Sequence, residues 1–273
     1  MGPIHAVQFV IEMAGPRTVA ATSVKALLNP QWFNLLGHPE IFVMSGADAS
    51  WRKLEQNDPS GSYDSIALAW NLFGLNPQIA QQLWNHCDDF AKQIGRRAFA
   101  MPVPDDLLAA ERGLEEMKES LDIGVNLMVV PAMQPFAEGD IWQVAAALGL
   151  DLEGNGVFVW RAPNADHPLL EVSSLDEPGR FSLAQVQAGS THSGLLLGFS
   201  VPHSPDPSFG LEGALKAGAV FAQRLQGRLL DEEERPVTDA SKKAMRDQMA
   251  AAVRALTSAG FPPGSVAAAK LFT

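Results

Sequence analysis

The chain spells one pattern of elements twice, and a module that recurs must find a buried core for each of its copies. In the first half Asn76 can cap a helix with Pro77 at its first position. Ile79, Leu83, Cys87, Phe90 and Ile94 then recur at spacings of three and four, one helical face that Gly95 can end. In the second half Leu211, Leu215, Ala222 and Leu225 trace a similar stripe, interrupted by Gly218 and closed by Gly227. The two ends even read alike, Phe90-Ala-Lys-Gln-Ile-Gly-Arg against Phe221-Ala-Gln-Arg-Leu-Gln-Gly-Arg. Each helix leads into a short strand, Arg97–Met101 or Arg228–Asp231, then a proline-bearing turn and a second helix, about Asp105–Ser120 or Asp239–Thr257. Each is preceded by an alternating strand, Ser65–Leu72 or Leu195–Val201. Each half opens with a strand (Val7–Met13, Val125–Val130), a short helix (Ala20–Leu28, Gly139–Leu148) and a third strand (Glu40–Ser45, Gly156–Arg161).

This order predicts an α+β chain of two tandem domains, residues 1–121 and 122–273, each with helices on one face of a mainly antiparallel sheet. The length of 273 residues and the 47% apolar content suit two ordinary cores. With 20 basic and 31 acidic side chains the net charge is −11, which disfavours nucleic acid or anionic lipid as a partner, since both demand basic patches. The single cysteine, Cys87, excludes a disulfide framework and a cysteine-based zinc site, and its place on the apolar stripe predicts core packing. No apolar run approaches the length of a membrane span, and the opening MGPIHAV carries no signal-peptide pattern, so a cytoplasmic location is expected, with an upstream anchor left open.

Chemistry-bearing patterns are sparse. Nucleotide-cradling glycine loops, the Gly-x-Ser-x-Gly elbow and His-Glu-x-x-His are missing from the sequence. His86-Cys87-Asp88-Asp89 lies on a helix, where neighbours point in different directions and cannot converge on one ion. His192 and His203 flank one predicted strand and read best as turn formers, and Asp231-Glu-Glu-Glu-Arg235 as a solvated acidic turn without the spacing of a calcium loop. The expectation is a non-enzymatic interaction protein without a cofactor. An enzyme with a site built from loops around His192 and His203 stands as a third reading.

The second half, about Gly124 to Leu256, resembles the C-terminal, FtsZ-binding domain of the ZipA family of bacterial cell-division proteins. The matching features are the strand Val125–Val130, Gly139-Asp-Ile-Trp at a helix start, and Leu169-Leu-Glu-Val-Ser-Ser-Leu-Asp-Glu-Pro-Gly-Arg-Phe181. They continue in Thr191-x-x-Gly194, a strand ending in Val201-Pro202, and Leu229-Leu-Asp-Glu-Glu-Glu-Arg-Pro-Val-Thr. The first half resembles the same domain through the internal echo. The resemblance implies a split β-α-β fold in two copies and a shallow apolar groove on the open sheet face, which takes the C-terminal peptide of FtsZ. It also implies a role in Z-ring assembly at the division site, with ZipA-like proteins tethered to the inner membrane. Glu177 stands where the family carries a lysine, which weakens attraction to an acidic tail.

If helices cover the face of Val125, Leu127, Val129, Leu195, Leu197 and Phe199, the opposite face is expected to carry Asn126, Met128, Phe158, Trp160, Leu175, Leu196 and Gly198. Exposed Met, Phe and Trp there would form an adaptable peptide platform. Two alternatives stay open: those residues are buried against the first domain, or the fold serves as a scaffold for a different protein.

Overall fold

The computed structural model describes residues 2–26, 37–45, 50–54, 61–163 and 167–272. The chain divides into two compact units, Met1–Met117 and Lys118–Thr273.

The first unit contains β1 (Gln8–Ala20), α1 (Ala21–Ala26), β2 (Glu40–Met44), β3 (Trp51–Lys53) and β4 (Ser62–Asn71), followed by α2 (Pro77–Gln93) and β5 (Arg97–Met101). A 3-10 turn, Pro104–Asp106, then leads into α3 (Leu107–Leu121), which runs across the boundary at Met117. Of the helix expected over 20–28, residues 27 and 28 lie outside the described residues. The strands form one antiparallel sheet in the order β3-β2-β4-β1-β5. Because β4 is inserted between β1 and β2, those two run parallel.

Asn76 caps α2 by accepting the Gln78 N–H at 2.8 Å, with Pro77 at the first helical position, and Gly95 closes it at φ +71°. The buried stripe is turned slightly from the one expected. Ala80, Leu83, Cys87 and Ala91 form its centre, while Ile79, Phe90 and Ile94 are half-buried. Small alanines at the centre let the helix lie close to the sheet. Cys87 is fully buried, and desolvation pushes its thiol up to about 12.

The register places Phe9, Ile11 and Met13 opposite Trp70, Leu68 and Ile66, all buried on the side that α2 covers. On the reverse side Val10, Phe42, Ala67 and Ala69 form a second buried cluster, with Trp51 packed against it. The unit therefore fills much of both sheet faces with its own side chains. Arg96 braces the irregular part of β1. Its guanidinium donates to the backbone carbonyls of Met13 and Tyr63, both at 3.1 Å, and to those of Asp64 and Arg17.

The second unit contains β6 (Gly124–Pro131), β7 (Phe136–Ala137), α4 (Glu138–Ala147), β8 (Asp151–Leu152), β9 (Phe158–Trp160) and β10 (Leu170–Ser174). After these come α5 (Leu183–Gln187), β11 (Thr191–His192), β12 (Leu195–Ser200), α6 (Pro207–Arg224), β13 (Gly227–Asp231), α7 (Asp239–Ser258) and α8 (Val266–Leu271). Six strands form an antiparallel sheet ordered β13-β6-β12-β10-β9-β8, and β11 pairs with β7 apart from it. The run β13-β6-β12-β10 repeats the connectivity of β5-β1-β4-β2. The next strand differs: β3 follows β2 in the chain, whereas β9 precedes β10.

Helix α6 starts at an Asp206 cap, which accepts the Phe209 N–H at 3.0 Å. It lies on the face of Leu127, Val129, Leu195, Leu197 and Phe199 because three glycines remove its side chains at the contacts. A Cβ on Gly210, Gly213 or Gly218 would stand 3.1 Å from the Phe199 ring, 2.5 Å from the Trp160 ring or 2.6 Å from Leu229. Gly218, a gap in the sequence stripe, is where Leu229 enters.

Candidate functional site

The uncovered face of the second sheet is a grid set by register. Leu230 of β13 lies opposite Met128 of β6, Met128 opposite Leu196 of β12, and Leu196 opposite Ser173 of β10. In the next row Asn126 is opposite Gly198 and Gly198 opposite Glu171. Met128, Leu196, Gly198 and Ser173 are half-buried, and Asn126 and Glu171 are exposed. Gly198 on β12 and Gly194 just before it flank Leu196 and keep the floor flat. A Cβ on Gly198 would lie 2.6 Å from the Val125 carbonyl oxygen and 2.8 Å from Asn126 Oδ1. A Cβ on Gly194 would collide at 2.6 Å with the Leu175 side chain, which lies over that glycine. The face is thus a shallow apolar floor with Leu175 raised at one rim.

Two of the seven residues expected there face the other way. Phe158 pairs with Val172, and Val172 with Leu197, so all three point toward the helices. Phe158 is 3% exposed, packed edge-on against Trp142 of α4 and tilted against Phe181. Trp160 pairs with Leu170 on the same side and rests on Phe209 of α6 with ring centroids 5.1 Å apart. Both belong to the core of their own unit. Val159, between them, points to the uncovered side.

A buried polar chain fixes the Leu175 rim. Ser174 Oγ and His192 Nδ1 are 2.8 Å apart, and His192 Nε2 is 3.1 Å from Glu138 Oε2. Glu138 is fully buried and also accepts the Ser182 N–H at 2.7 Å and the Trp142 indole N–H at 3.3 Å. On the other side Ser174 Oγ accepts the Asp176 N–H at 3.0 Å, and Asp176 accepts from the Ser193 N–H at 2.7 Å and the Ser193 hydroxyl at 2.6 Å. Those two Ser193 bonds hold the Asp176 carboxyl below the usual range. His192 is therefore a buried brace and not a turn former. A serine, a histidine and a carboxylate in line have the order of a nucleophile relay. Here, however, the hydroxyl is buried and already holds a backbone amide. The adjoining cleft of about 400 Å³ is lined by Asp176, Arg180, His192 and Ser193, with Ser174 outside it. His203 lies apart from this chain, stacked on His167 at 4.2 Å and bonded to Ser200.

The acidic turn after β13 is likewise more ordered than expected. Asp231 is buried and accepts from the Glu233 and Arg235 amides and the Arg235 guanidinium, at 2.9 to 3.0 Å. It forms one lip of a half-open cleft of about 630 Å³, whose walls include Ile123, Val125, Met245 and Met249. Among the described residues no three His, Cys, Asp or Glu side chains converge as a metal site, and no helix is long and apolar enough to cross a membrane.

Residues 123–248 match the family described as ZipA, C-terminal FtsZ-binding domain, the family whose features the sequence shows over this half. It is a family of protein-binding cell-division domains and not of enzymes. No curated protein matches the chain.

Proposed function

We propose, from the match of residues 123–248 to that family, that the uncovered sheet face of the second unit takes the C-terminal peptide of FtsZ. Through that contact the protein would support Z-ring assembly without catalysing a reaction. The observation that carries the proposal is the flat apolar floor of Met128 and Leu196 between Gly194 and Gly198, with Asn126 on it and Leu175 at its rim. A peptide with spaced apolar side chains can lay them on such a floor, and the soft Met128 adapts to their shape. The shared strand connectivity supports reading residues 1–121 and 122–273 as tandem copies of one split β-α-β fold. The family supports a place at the division site, on the cytoplasmic side of the inner membrane.

The test is a titration of the protein with an FtsZ C-terminal peptide, followed by methyl NMR and calorimetry. The Met128, Leu175 and Leu196 methyl signals are expected to move. Met128→Asp should weaken binding at least about tenfold, about 1.4 kcal/mol. Phe158 and Trp160 should move little. Absence of any methyl shift at millimolar peptide would overturn the proposal. A second reading, the same face holding a different and more basic partner, is favoured by the exposed Glu171 and Glu177 beside it. Stronger binding of an acidic FtsZ peptide after Glu177→Lys would show that charge at the rim acts as described.

A further inference from the structure

The first unit, which lies outside the family match, carries the most exposed apolar strip among the described residues. Phe99 is 57% exposed and Met101 59%, both on the same side of β5, and Val103 and Leu108 follow at 49% and 56%. Strand β5 is the last in its sheet. It pairs with β1, and no other strand among the described residues takes its outer edge. Other sheet edges are blunted. Strand β3 has three residues, two of them Arg52 and Lys53, and β8 has two residues. Strand β13 is covered by its own following turn, through Pro236 and the Val237 N–H to the Leu229 carbonyl. Short strands, charge and covering loops are the usual protections against edge pairing. β5 has five residues and one charge, Arg97.

We infer that β5 is a self-association edge, and that its occupant is the β5 of a second copy of this chain, placed antiparallel about a two-fold axis. The strip is self-complementary in charge. Arg97 opens the strand and is exposed, and Asp105 and Asp106 stand exposed just past its other end. An antiparallel copy brings each Arg97 to the partner's acidic end. Pro102 and Pro104 end the strand, so five residues pair with five, centred on Phe99. Each Phe99 then meets its counterpart on one sheet face, with Met101 beside Arg97, which covers the apolar strip and pairs the open edge.

Sedimentation velocity on the full chain from micromolar to near-millimolar concentration tests this. Wild type is expected to shift from monomer to dimer. Phe99→Glu is expected to raise the dissociation constant at least about tenfold, with a melting curve unchanged at the micromolar concentrations where wild type is also monomeric, since the side chain is exposed. Arg97→Asp should weaken the dimer, and Arg97→Asp combined with Asp105→Arg and Asp106→Arg should restore it. Phe99→Cys should crosslink on mild oxidation far faster than Arg97→Cys, because only position 99 faces itself across the axis. A monomer at every concentration would overturn the inference, and so would a dimer indifferent to Phe99→Glu. Peptide titration of the Phe99→Glu variant separates this from the proposed function, since the uncovered face of the second unit is untouched.

Discussion

Glu138 shows how much one side chain can fix. Its carboxylate serves His192, Ser182 and Trp142 at once with no exposure to water. Glu138→Ala would leave the buried His192 ring nitrogen and two part-buried donors unmatched, and each buried polar group left without its partner costs roughly 1–3 kcal/mol. A denaturant midpoint should fall accordingly, and the Leu175 methyl signals should broaden, because the same chain anchors that rim. His203 makes a pH prediction. Burial first, then neighbouring His167 and Lys118, hold its pKa below the ordinary value, with Asp122 acting in the opposite sense. The unfolded chain thus takes up this proton at higher pH than the folded one. Stability is unaffected well above the unfolded value near 6.5, and falls as pH drops below it until the folded group also protonates. Thermal melts from pH 8 to 5 should show that loss, and it should shrink in His203→Gln. Neither network could be read from the sequence. Glu138, Ser174 and His192 belong to three elements that only the folded sheet brings together.

At the scale of elements, the sequence made long, one-sided segments legible and left short, two-sided ones ambiguous. Helix α2 announced its cap and its closing glycine, and its stripe at Leu83 and Cys87 though turned toward Ala80 and Ala91, and the alternation of β6 and β12 placed Met128, Leu196 and Gly198 on the uncovered side as expected. Strand β9 did not, because Phe158, Val159 and Trp160 are apolar on both sides and three residues carry no usable period. Its face depends on register with β10, and a slip of one residue reverses every side chain. The same segment supplies a test. Gly213→Leu in α6 would drive a side chain into the Trp160 ring, whose nearest atom lies 2.5 Å from where a Cβ would stand. A loss of about 1–3 kcal/mol is expected from such overpacking, read as a lower melting temperature with reduced Trp160 order. Gly213→Ala should cost less.

For the whole molecule, the two sheets share a connectivity and differ in what their outer faces hold. In the second unit that face leaves Met128, Leu196 and Ser173 half-exposed. In the first, Phe42 reaches across Ala67 and Ala69, and Trp51 packs against the cluster from the β2–β3 hairpin. Only residues as small as alanine leave room there for two aromatic side chains. Trp51→Ala should therefore lower stability by about 2–3 kcal/mol, at or just below the low end for deleting a fully packed aromatic group because Trp51 is half-buried, without touching the Met128–Leu196 floor.

Stoichiometry follows from Trp51 and the two alanines beneath it. The first of the two large sheets is filled around Phe42 by its own side chains, whereas the second leaves Met128 and Leu196 half-exposed. On the proposed function, calorimetry should level off at one FtsZ peptide per polypeptide, and a ratio of two would mean that the aromatic stopper lifts away.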